Sequence, residues 1–377
     1  MLLPTKEQEE LFWKSVGAAR WAYNYFLAEN DRVYRETKKT ISGCEVRKQI
    51  TILKKTTHTW LKEVGSNVVK MATMDAERAL RNYLNGLYGK PHFKTKRNLR
   101  QSFYVNYESI RKTQNGFRGE KIGFIKTVEP LPKLRDGQRY SYPRIIFDGK
   151  YWYLSIGYEV EEKKYNLTDK SIGIDLGVKE LAVCSDGTIY GNINKTKKVR
   201  RIKKRLAHEQ RKLSRMRKSN IKGYTSNRKP IYEKPLEECK NYQKQRRKVA
   251  MIQRRLNNIR NNYLHQVTTE IVNKLPYRIV METLNIRKMM KNKHLARRVA
   301  EQSLYEFKRK VIYKAEMRGI KIVEVPTFYP SSKTCSCCGY IKRDLQLSDR
   351  EYICPICSLK IDRDLNASIN LANYKTA

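Results

Sequence analysis

Five of the eight cysteines lie between positions 335 and 357, at a spacing that could bind a metal ion. Cys335 and Cys338 form one Cys-X-X-Cys pair, and Cys354 and Cys357 form a second. Two such pairs supply four thiolates, which surround zinc tetrahedrally and leave no position open for a substrate. The spacing therefore predicts a zinc ribbon with one structural Zn²⁺, in which Cys337 points away from the metal.

Several acidic residues stand where a carboxylate is costly unless it is paired or binds a metal. Asp175 lies in the apolar run Ile-Gly-Ile-Asp-Leu-Gly, and Glu282 lies in Ile-Val-Met-Glu-Thr-Leu-Asn. Asp362 and Asp364 lie in Asp-Arg-Asp-Leu-Asn-Ala, where Asp364 could simply cap the last helix. Each acid alone could also be half of a salt bridge. Together, such acids can hold two Mg²⁺ ions about 4 Å apart, which activate a water and stabilise a leaving 3′ oxygen.

Other kinds of active site are not indicated. The five histidines are scattered and form no metal-binding pattern, and no Ser-His-Asp or Cys-His arrangement is present. The chain has no Walker-type phosphate loop, so we do not expect it to use ATP.

The sequence around the acids predicts the elements that carry them. A three-stranded meander is expected over 171–190, with Asp175 on its first strand, and a further strand ends at Glu282. A helix over about 296–318, a strand over 321–325, the zinc ribbon and a helix from near Asp364 follow. An acid on a meander, a second on a later strand and a third at a helix start are arranged as in an RNase H-type fold. The central strands of that fold bring three carboxylates together.

The first half of the chain shows a different pattern. Apolar residues recur every three to four positions and predict helices between residues 5 and 90, including 44–55 and 65–88. The period then changes to two, and strands are expected over 103–107, 121–125, 144–147 and 151–156. The last two strands are joined by Asp148-Gly149, which is a strong hairpin signal. This block is expected to form a small β-barrel or sheet.

The charge of the chain indicates a polyanionic partner. Lys and Arg number 80 against 37 Asp and Glu, which gives a net charge of +43. Between positions 191 and 260 there are 25 Lys and Arg, four Glu and no Asp. This segment predicts two helical arms over 195–270 that contact nucleic acid with their basic faces; a solvated helical hairpin is the alternative. No signal peptide, amphipathic anchor or long apolar run is found, so we expect a cytoplasmic, nucleoid-associated protein without a membrane partner.

These motifs resemble the TnpB family, which comprises RNA-guided RuvC-type endonucleases of bacterial insertion sequences and is related to compact type V CRISPR effectors. The resemblance covers residues 170–373, where five motifs follow the family's order and spacing, and is weaker in the front half, at 3–8, 20–24 and 91–94. The five motifs are Gly-Ile-Asp-Leu-Gly (173–177), Val-Met-Glu-Thr-Leu-Asn (280–285), Pro-Ser-Ser-Lys-Thr-Cys-Ser-Cys-Cys-Gly (330–339), Cys-Pro-Ile-Cys (354–357) and Asp-Arg-Asp-Leu-Asn-Ala (362–367).

The resemblance implies an α/β nuclease domain of the RNase H-like, RuvC type with a zinc ribbon, plus an N-terminal β-barrel, or wedge, with an inserted helical recognition domain. The implied bounds are 1–10 and 91–168 for the wedge, 11–90 for the recognition domain, 169–330 and 359–377 for the nuclease, and 331–358 for the ribbon, which would bind target nucleic acid.

The resemblance also implies a function, namely Mg²⁺-dependent RNA-guided DNA cleavage. Asp175, Glu282 and Asp364 would be the catalytic residues and would hold two Mg²⁺ ions. Asp364 is preferred to Asp362 because the family's acid stands two residues before an Asn, here Asn366; Asp362 would then support a metal ligand. A monomer would bind a guide RNA transcribed from the element's own end. Base pairing would read the double-stranded DNA target, and the protein would read only a short flanking motif.

Two groups of residues are predicted to contact nucleic acid. The first mixes cations with aromatic rings and could lie near the flanking-motif duplex or the guide; a basic loop before an aromatic strand is the alternative. The second group lies on the basic segment. The residues are Lys94, Lys96, Arg97, Arg100, Phe103 and Tyr104 in the first group and Arg201, Arg205, Arg247 and Arg254 in the second.

The chain departs from the family in two places. The family usually has a short basic strand before a Leu-Tyr-Pro-Thr segment, which here reads Leu-Leu-Pro-Thr at 2–5, so the first strand of the barrel is expected to be missing. The second cysteine pair is usually followed by Gly, whereas here Ser358 follows Cys357.

Three other functions remain open on the sequence. The chain could be a nuclease-inactive repressor that binds DNA under RNA guidance, although such descendants are expected to lose acids of the triad. It could be a transposase or resolvase that acts without a guide, since these enzymes also use RNase H-type folds. A compact type V CRISPR effector is the nearest relative, and the sequence separates it poorly from a transposon protein.

Overall fold

The computed structural model describes residues 1–375 apart from 97, 99, 162, 295, 347 and 348, with only the backbone of residues 286–288. The chain forms two units, Met1–Val160 and Glu161–Ala377. We expected a boundary after residue 168, whereas residues 161–168 group with the second unit.

The first unit contains a seven-stranded antiparallel sheet in the order β2-β6-β7-β1-β5-β4-β3. The strands predicted from the period of two are confirmed as β2, β5, β6 and β7, and Gly149 in the β6–β7 turn has a φ of 98°. The edge strands β2 and β3 are not paired with each other among the described residues, so a closed barrel is not confirmed. The strands are β1 (Leu2–Leu3), β2 (Gln101–Tyr104), β3 (Arg111–Thr113), β4 (Gly116–Gly119), β5 (Gly123–Thr127), β6 (Ser141–Phe147) and β7 (Trp152–Gly157).

A short strand, β1, lies within the Leu-Leu-Pro-Thr segment itself, and the absence of a further strand before that segment stays a prediction. Leu2 and Leu3 pair with Thr127 and Lys126 of β5, and Leu2 also pairs with Trp152 of β7. β1 therefore lies inside the sheet although it has only two residues.

The first unit has three helices: α1 (Lys6–Thr37), α2 (Gly43–Lys55) and α3 (Ser66–Leu84). α1 and α3 pack on β2, and α2 packs on α1 and α3. Capping boxes begin α1, with Thr5 and Gln8, and α2. Such a box satisfies two backbone N–H groups at a helix start. Phe12 of α1 is fully buried against Trp152, with ring centroids 5.0 Å apart. The helices predicted at 44–55 and 65–88 are confirmed, with α3 ending at Leu84.

The second unit has a five-stranded sheet in the order β10-β9-β8-β13-β14. β10, β9 and β8 form the predicted antiparallel meander, while β13 lies parallel to both β8 and β14. The strands are β8 (Thr168–Leu176), β9 (Glu180–Cys184), β10 (Ile189–Gly191), β13 (Pro276–Glu282) and β14 (Lys321–Val325).

Two long helices, α4 (Lys197–Lys218) and α5 (Lys240–Asn273), form the predicted basic arms. A small hairpin of β11 (Ile221–Tyr224) and β12 (Pro230–Tyr232) joins them. One apolar face of each arm is buried against the other, which leaves the remaining faces to the basic side chains. The seam consists of Val199, Ile202, Leu206, Ile252 and Leu256.

The helix expected over 296–318 is divided in two. After α6 (Ile286–Lys291), α7 (Ala296–Gln302) and α8 (Leu304–Glu316) are separated at Ser303, whose φ of 56° interrupts the helical backbone. The ribbon contributes β15 (Glu351–Ile353) and β16 (Lys360–Asp362), and α9 (Arg363–Ala372) ends the fold. Among the helices of the described residues, none has both the length and the apolar character that crossing a bilayer requires.

Candidate active site

Two of the predicted acids lie side by side at one end of the second sheet. Ile174 of β8 pairs with Met281 of β13, so Asp175 and Glu282, one residue further on, occupy the next position of the register. Neighbouring strands lie roughly 4.8 Å apart, and residues paired in register project to the same face. The parallel pairing of β8 and β13 therefore brings together two carboxylates that are distant in sequence.

The third acid comes from α9, which packs on β8 at Gly173. A Cβ at this position would lie 2.0 Å from the Ser368 carbonyl oxygen and 2.4 Å from the Ala372 nitrogen, so only glycine lets the helix approach this closely. Gly173 and Asp175 are two residues apart and face the same side of the sheet. The first turn of α9 carries Asp364 on that side.

Asp362 is the residue that caps α9. Its carboxylate accepts hydrogen bonds from the backbone nitrogens of Asp364, at 2.9 Å, and Leu365, at 3.1 Å. The expectation that Asp364 could be a simple cap is therefore wrong, because Asp362 has that role. Asp364 instead forms an ion pair with Arg363, with 3.2 Å between Nη2 and Oδ1.

Asp175 lies in an environment that favours its neutral form. Burial, together with the charges of Glu282 and Asp364, raises the pKa of Asp175 to about 7, and Arg363 acts in the opposite direction. Neither Asp175 nor Glu282 forms an ion pair with a lysine or arginine in the described part of the chain. Arg363 therefore counters the negative charge of the cluster, at Asp364 through the ion pair and at Asp175 through its charge alone.

Glu282 has a hydroxyl partner that the sequence did not indicate. The Oγ of Ser331 donates a hydrogen bond to Glu282 Oε1. Ser331 lies in the Pro-Ser-Ser-Lys-Thr-Cys motif at 330–335, one of the five motifs that carry the resemblance, and the sequence predicts no separate function for this residue. Only the tertiary structure shows that this motif reaches the acidic site.

The four cysteines of the two Cys-X-X-Cys pairs converge. Their sulfur atoms all lie within 4.8 Å of one another, with Cys335 and Cys357 at 3.6 Å and Cys338 and Cys354 at 3.5 Å. Zn–S bonds of about 2.3 Å place tetrahedral ligands roughly 3.8 Å apart, so the cluster fits structural zinc. Cys337 is exposed and stands outside the group, as predicted.

The three carboxylates are spaced more widely than the cysteine sulfurs. Among the described residues, the cysteine cluster is the only group of three or more His, Cys, Asp or Glu residues whose ligand atoms all lie within 4.8 Å of one another.

Both cysteine pairs close with the same turn. Gly339 N donates to Cys335 O at 3.0 Å, and Ser358 N donates to Cys354 O at 3.1 Å. Both following residues are in the left-handed region, with φ of 77° for Gly339 and 58° for Ser358. Ser358 thus adopts a conformation that favours glycine.

Two predicted nucleic-acid contacts are wrong. Phe103 and Tyr104 lie in β2 with exposed fractions of 1% and 7%, and the Phe103 ring packs 5.7 Å from that of Phe12. Helices cover this part of the sheet, so both rings belong to the core of the first unit and cannot stack on a base.

The cations of the same segment have different surroundings. Lys94 exchanges two backbone hydrogen bonds with the Asn24 amide, at 2.8 and 2.9 Å, and its Nζ lies 3.9 Å from the centre of the Tyr23 ring. Burial lowers the pKa of Lys94. Lys96 and Arg100 are exposed, and Arg97 lies outside the described residues.

Some of the arginines predicted to contact nucleic acid lie on one surface of the basic arms. Arg201 and Arg205 are exposed on α4 and, with Arg255 of α5, line a groove of about 410 Å³. Arg247 is exposed on α5, whereas Arg254 is half-buried. The groove therefore gathers two of the four predicted arginines and adds Arg255.

A second groove, in the first unit, was not predicted. It has a volume of about 850 Å³ and lies between α1 and the segment around Trp60. Trp21 stacks on Tyr25 with ring centroids 5.1 Å apart, and burial lowers the pKa of the adjacent Arg20. Trp21 and Tyr25 are half-buried, whereas Trp60 and Phe93, which also line the groove, are exposed. Exposed aromatic rings near a cation suit contacts with unpaired bases.

Three family models match the chain. Residues 155–293 match the OrfB family of IS605, described as a probable transposase, and residues 305–371 match the Cas12f1-like TNB domain. Residues 1–39 match a helix-turn-helix domain associated with OrfB. In the structure, these residues form one strand and a single long helix, not two helices joined by a turn.

Two bacterial relatives are 29% identical to the chain over 98% of its length. One, from Streptomyces pristinaespiralis, is named as a candidate RNA-guided DNA endonuclease, and 86% of it is covered. The other, InsQ of Escherichia coli K12, is named in the same way, and 90% of it is covered. The chain is therefore similar to RNA-guided DNA endonucleases over almost its whole length, in keeping with the resemblance of its motifs to the TnpB family.

The fold of the chain is also similar to that of a solved structure. Cas12f1, in a cryo-EM structure with its single guide RNA and target DNA, superposes with a TM-score of 0.59 at 16% identity. The match covers 98% of this chain and 83% of Cas12f1. The arrangement of elements is therefore shared with Cas12f1 even though most residues differ.

Proposed function

We propose that this chain is an RNA-guided DNA endonuclease of the TnpB family that cleaves double-stranded DNA. Its catalytic residues are Asp175, Glu282 and Asp364. One observation supports the proposal most directly: Asp175 and Glu282 follow the paired residues Ile174 and Met281 on adjacent strands, and burial together with the charges of Glu282 and Asp364 raises the pKa of Asp175 to about 7. The names of the relatives point to the same activity. A nuclease-inactive repressor is not favoured, because none of the three acids is replaced.

The five-stranded sheet is the core of an RNase H-like, RuvC-type nuclease domain with two Mg²⁺ ions at the acids. Asp175, Glu282 and Asp364 would hold the ions, which would supply an activated water and stabilise the leaving 3′ oxygen, so that the products would carry 5′ phosphates. Asp175 and Glu282 project ligand oxygens from adjacent strands, and Ser331 orients one oxygen of Glu282. Arg363 limits the repulsion at Asp364.

The rest of the chain binds the nucleic acids. The first unit comprises the wedge and the recognition domain, in which Lys94, Lys96 and Arg100 contact the flanking duplex or the guide. Arg201, Arg205, Arg247 and Arg254 on the basic arms contact the phosphate backbone. A channel for an RNA–DNA heteroduplex is lined for backbone rather than for bases, which accounts for the net charge of +43.

The decisive experiment is cleavage of a plasmid by the full chain with its co-purified RNA and Mg²⁺. We expect Asp175→Ala to abolish cutting and to leave target binding nearly unchanged. Asp169→Ala is the matched control, because Asp169 is an exposed acid on the same strand, β8. Cleavage by Asp175→Ala at the normal rate would contradict the site, and binding without nicking by the natural chain would favour a repressor.

The guide requires a separate measurement. Sequencing of the RNA that co-purifies with the chain should show a single abundant noncoding species. If no such RNA is bound, a transposase or resolvase that acts without a guide becomes the better hypothesis.

A further inference from the structure

The acidic site and the cysteine cluster are connected through the segment that precedes Cys335. Ser331 has an exposed fraction of only 3%, and its hydroxyl donates to Glu282. A single donor on Oε1 restricts the rotation of the carboxylate and leaves Oε2 free to bind a cation. Groups that hold metal ligands in this way commonly control the affinity of a metal site.

Ser331 is itself held by α9. The Asn370 amide donates to the carbonyl of Ser331 at 2.8 Å and to that of Thr334 at 2.6 Å, which uses both of its N–H groups. Asn370 has an exposed fraction of 6%. Buried amides with both donors satisfied fix the backbone that they contact.

A second asparagine of α9 ties the same segment to the zinc ligands. Asn366 is fully buried, donates to Thr334 O at 2.7 Å and accepts from Ser336 N at 2.9 Å. Ser336 directly follows Cys335. Since Asn366 and Asn370 are four residues apart, they lie on one face of α9. The backbone between Ser331 and Ser336 is therefore held at several points between the cysteine cluster and Glu282.

We propose that the zinc ribbon positions Glu282 through Ser331, so that zinc at the cysteines sets the affinity of the acidic site for divalent cations. Zinc bound by the cysteines would fix the backbone at Cys335. Asn366 holds the backbone at Thr334 and Ser336 against α9, and Asn370 holds the backbone at Ser331 and Thr334. The Ser331 hydroxyl then restricts the position of the Glu282 carboxylate. Ser331 is a positioning residue. This inference rests on the proposed nuclease function, and it gives the ribbon a role in the acidic site beyond contact with nucleic acid.

The test measures Mn²⁺ binding to the full-length protein by the electron paramagnetic resonance signal of free Mn²⁺. Ser331→Ala should weaken binding about 10- to 100-fold. Ser331→Thr, which keeps a hydroxyl, should restore most of the affinity. Ser368→Ala is the matched control, because its equally buried hydroxyl donates only to Leu365 O within α9. Equal affinities for Ser331→Ala and Ser368→Ala would overturn the inference.

Zinc removal tests the link itself. After zinc is stripped with a chelator and the chelator is removed, the natural chain should bind Mn²⁺ as weakly as Ser331→Ala does. Stripping Ser331→Ala should then cause little further loss, because both changes break one connection. Unchanged Mn²⁺ affinity after zinc removal, or two losses that simply multiply, would contradict the proposal. Asn370→Ala, which keeps the Ser331 hydroxyl, serves as a second variant and should also weaken binding.

The outcomes separate this inference from the proposed function. If the natural chain and Asp175→Ala bind Mn²⁺ alike, the acidic site itself is wrong. If only Asp175→Ala loses binding while Ser331→Ala does not, the site stands and the link to the ribbon fails. In cleavage assays, Ser331→Ala should lower the rate at limiting Mg²⁺, recover at saturating Mg²⁺ and leave target binding unchanged.

Discussion

Asp175 is placed where its charge is unfavourable without a cation. It stands in β8 between the buried Ile174 and Leu176, and its neighbours Glu282 and Asp364 are acids. Burial and like charges both favour the neutral form of a carboxyl group. A site of this kind loses stability in isolation and recovers it when a divalent cation binds.

We expect the stability of the metal-free protein to fall as the pH rises from about 4 to 7. The folded pKa of Asp175 is raised to about 7, so within this window the folded state keeps a proton that the unfolded state has lost. The effect is at most about 4 kcal/mol. It is measured as the difference in unfolding free energy between the natural chain and Asp175→Asn, with a chelator present. Parallel pH profiles for the two proteins would contradict this expectation.

Ser358 illustrates strain at a single residue. Its φ of 58° and its hydrogen bond to Cys354 O match the turn that Gly339 makes after the first cysteine pair. In the left-handed region, a residue with a Cβ has a higher conformational energy than glycine, because the Cβ approaches the following carbonyl oxygen. The departure from the family at this position therefore has a physical consequence.

We expect Ser358→Gly to stabilise the zinc-bound ribbon by about 1 kcal/mol. That corresponds to roughly a fivefold gain in zinc affinity, measured by competition with a chromogenic chelator. Gly339→Ser is the reciprocal control and should lose affinity, since its φ is 77°. The explanation by backbone strain fails if both substitutions change affinity in the same direction.

At the scale of elements, the distance between β8 and α9 determines whether Asp364 can join the other acids. Gly173 permits a contact that any side chain would prevent. The last turn of α9 is also held by Ser171 Oγ and Arg278 Nη2, which both donate to Ala372 O at 2.8 Å. The position of the helix thus depends on β8 and β13 together.

We expect Gly173→Ala to destabilise the second unit by about 1–3 kcal/mol, because the added methyl group meets backbone atoms that cannot move independently. Cleavage should fall more than this loss alone would cause, because α9 carries Asp364. Gly191→Ala in β10 is the matched control, since its Cβ would meet only Glu180 Oε2, at 3.5 Å. Urea unfolding and plasmid cleavage measure the two effects. Equal behaviour of the two variants would show that the close approach of α9 is not required.

At the scale of the whole molecule, charge is the dominant property. Neither the acidic site nor the zinc ribbon accounts for a net charge of +43. Such an excess repels itself unless phosphates neutralise it, and each neutralised phosphate releases a counterion. Binding of nucleic acid should therefore weaken steeply with salt.

We expect Arg201→Ala combined with Arg205→Ala to reduce the slope of log affinity against log salt by about two, one for each lost phosphate contact. The control removes two arginines that already pair with glutamates: Arg32, 2.7 Å from Glu29, and Arg309, 2.8 Å from Glu306. Filter binding of the guide RNA at several salt concentrations measures the slope. If both double variants change it equally, α4 contributes only general charge.

Much of the fold could be predicted from the sequence because its signals are local. Periods of two and of three to four residues located the meander, the strands before and after the basic arms, and α2 and α3. Predictions failed where several layers meet. Because Phe103 and Tyr104 follow a basic stretch, the sequence predicts that they contact nucleic acid. Helices cover β2, however, and both side chains are buried. The break at Ser303 gave no local signal.

By itself, the sequence determined which residues could do chemistry: four cysteines at zinc spacing, and acids on apolar strands and at a helix start. Only the tertiary structure decided how they meet. The register of β8 against β13, the approach of α9 at Gly173 and the hydrogen bond from Ser331 to Glu282 join residues far apart in the chain. Such contacts depend on which faces pack together, and no local pattern records that.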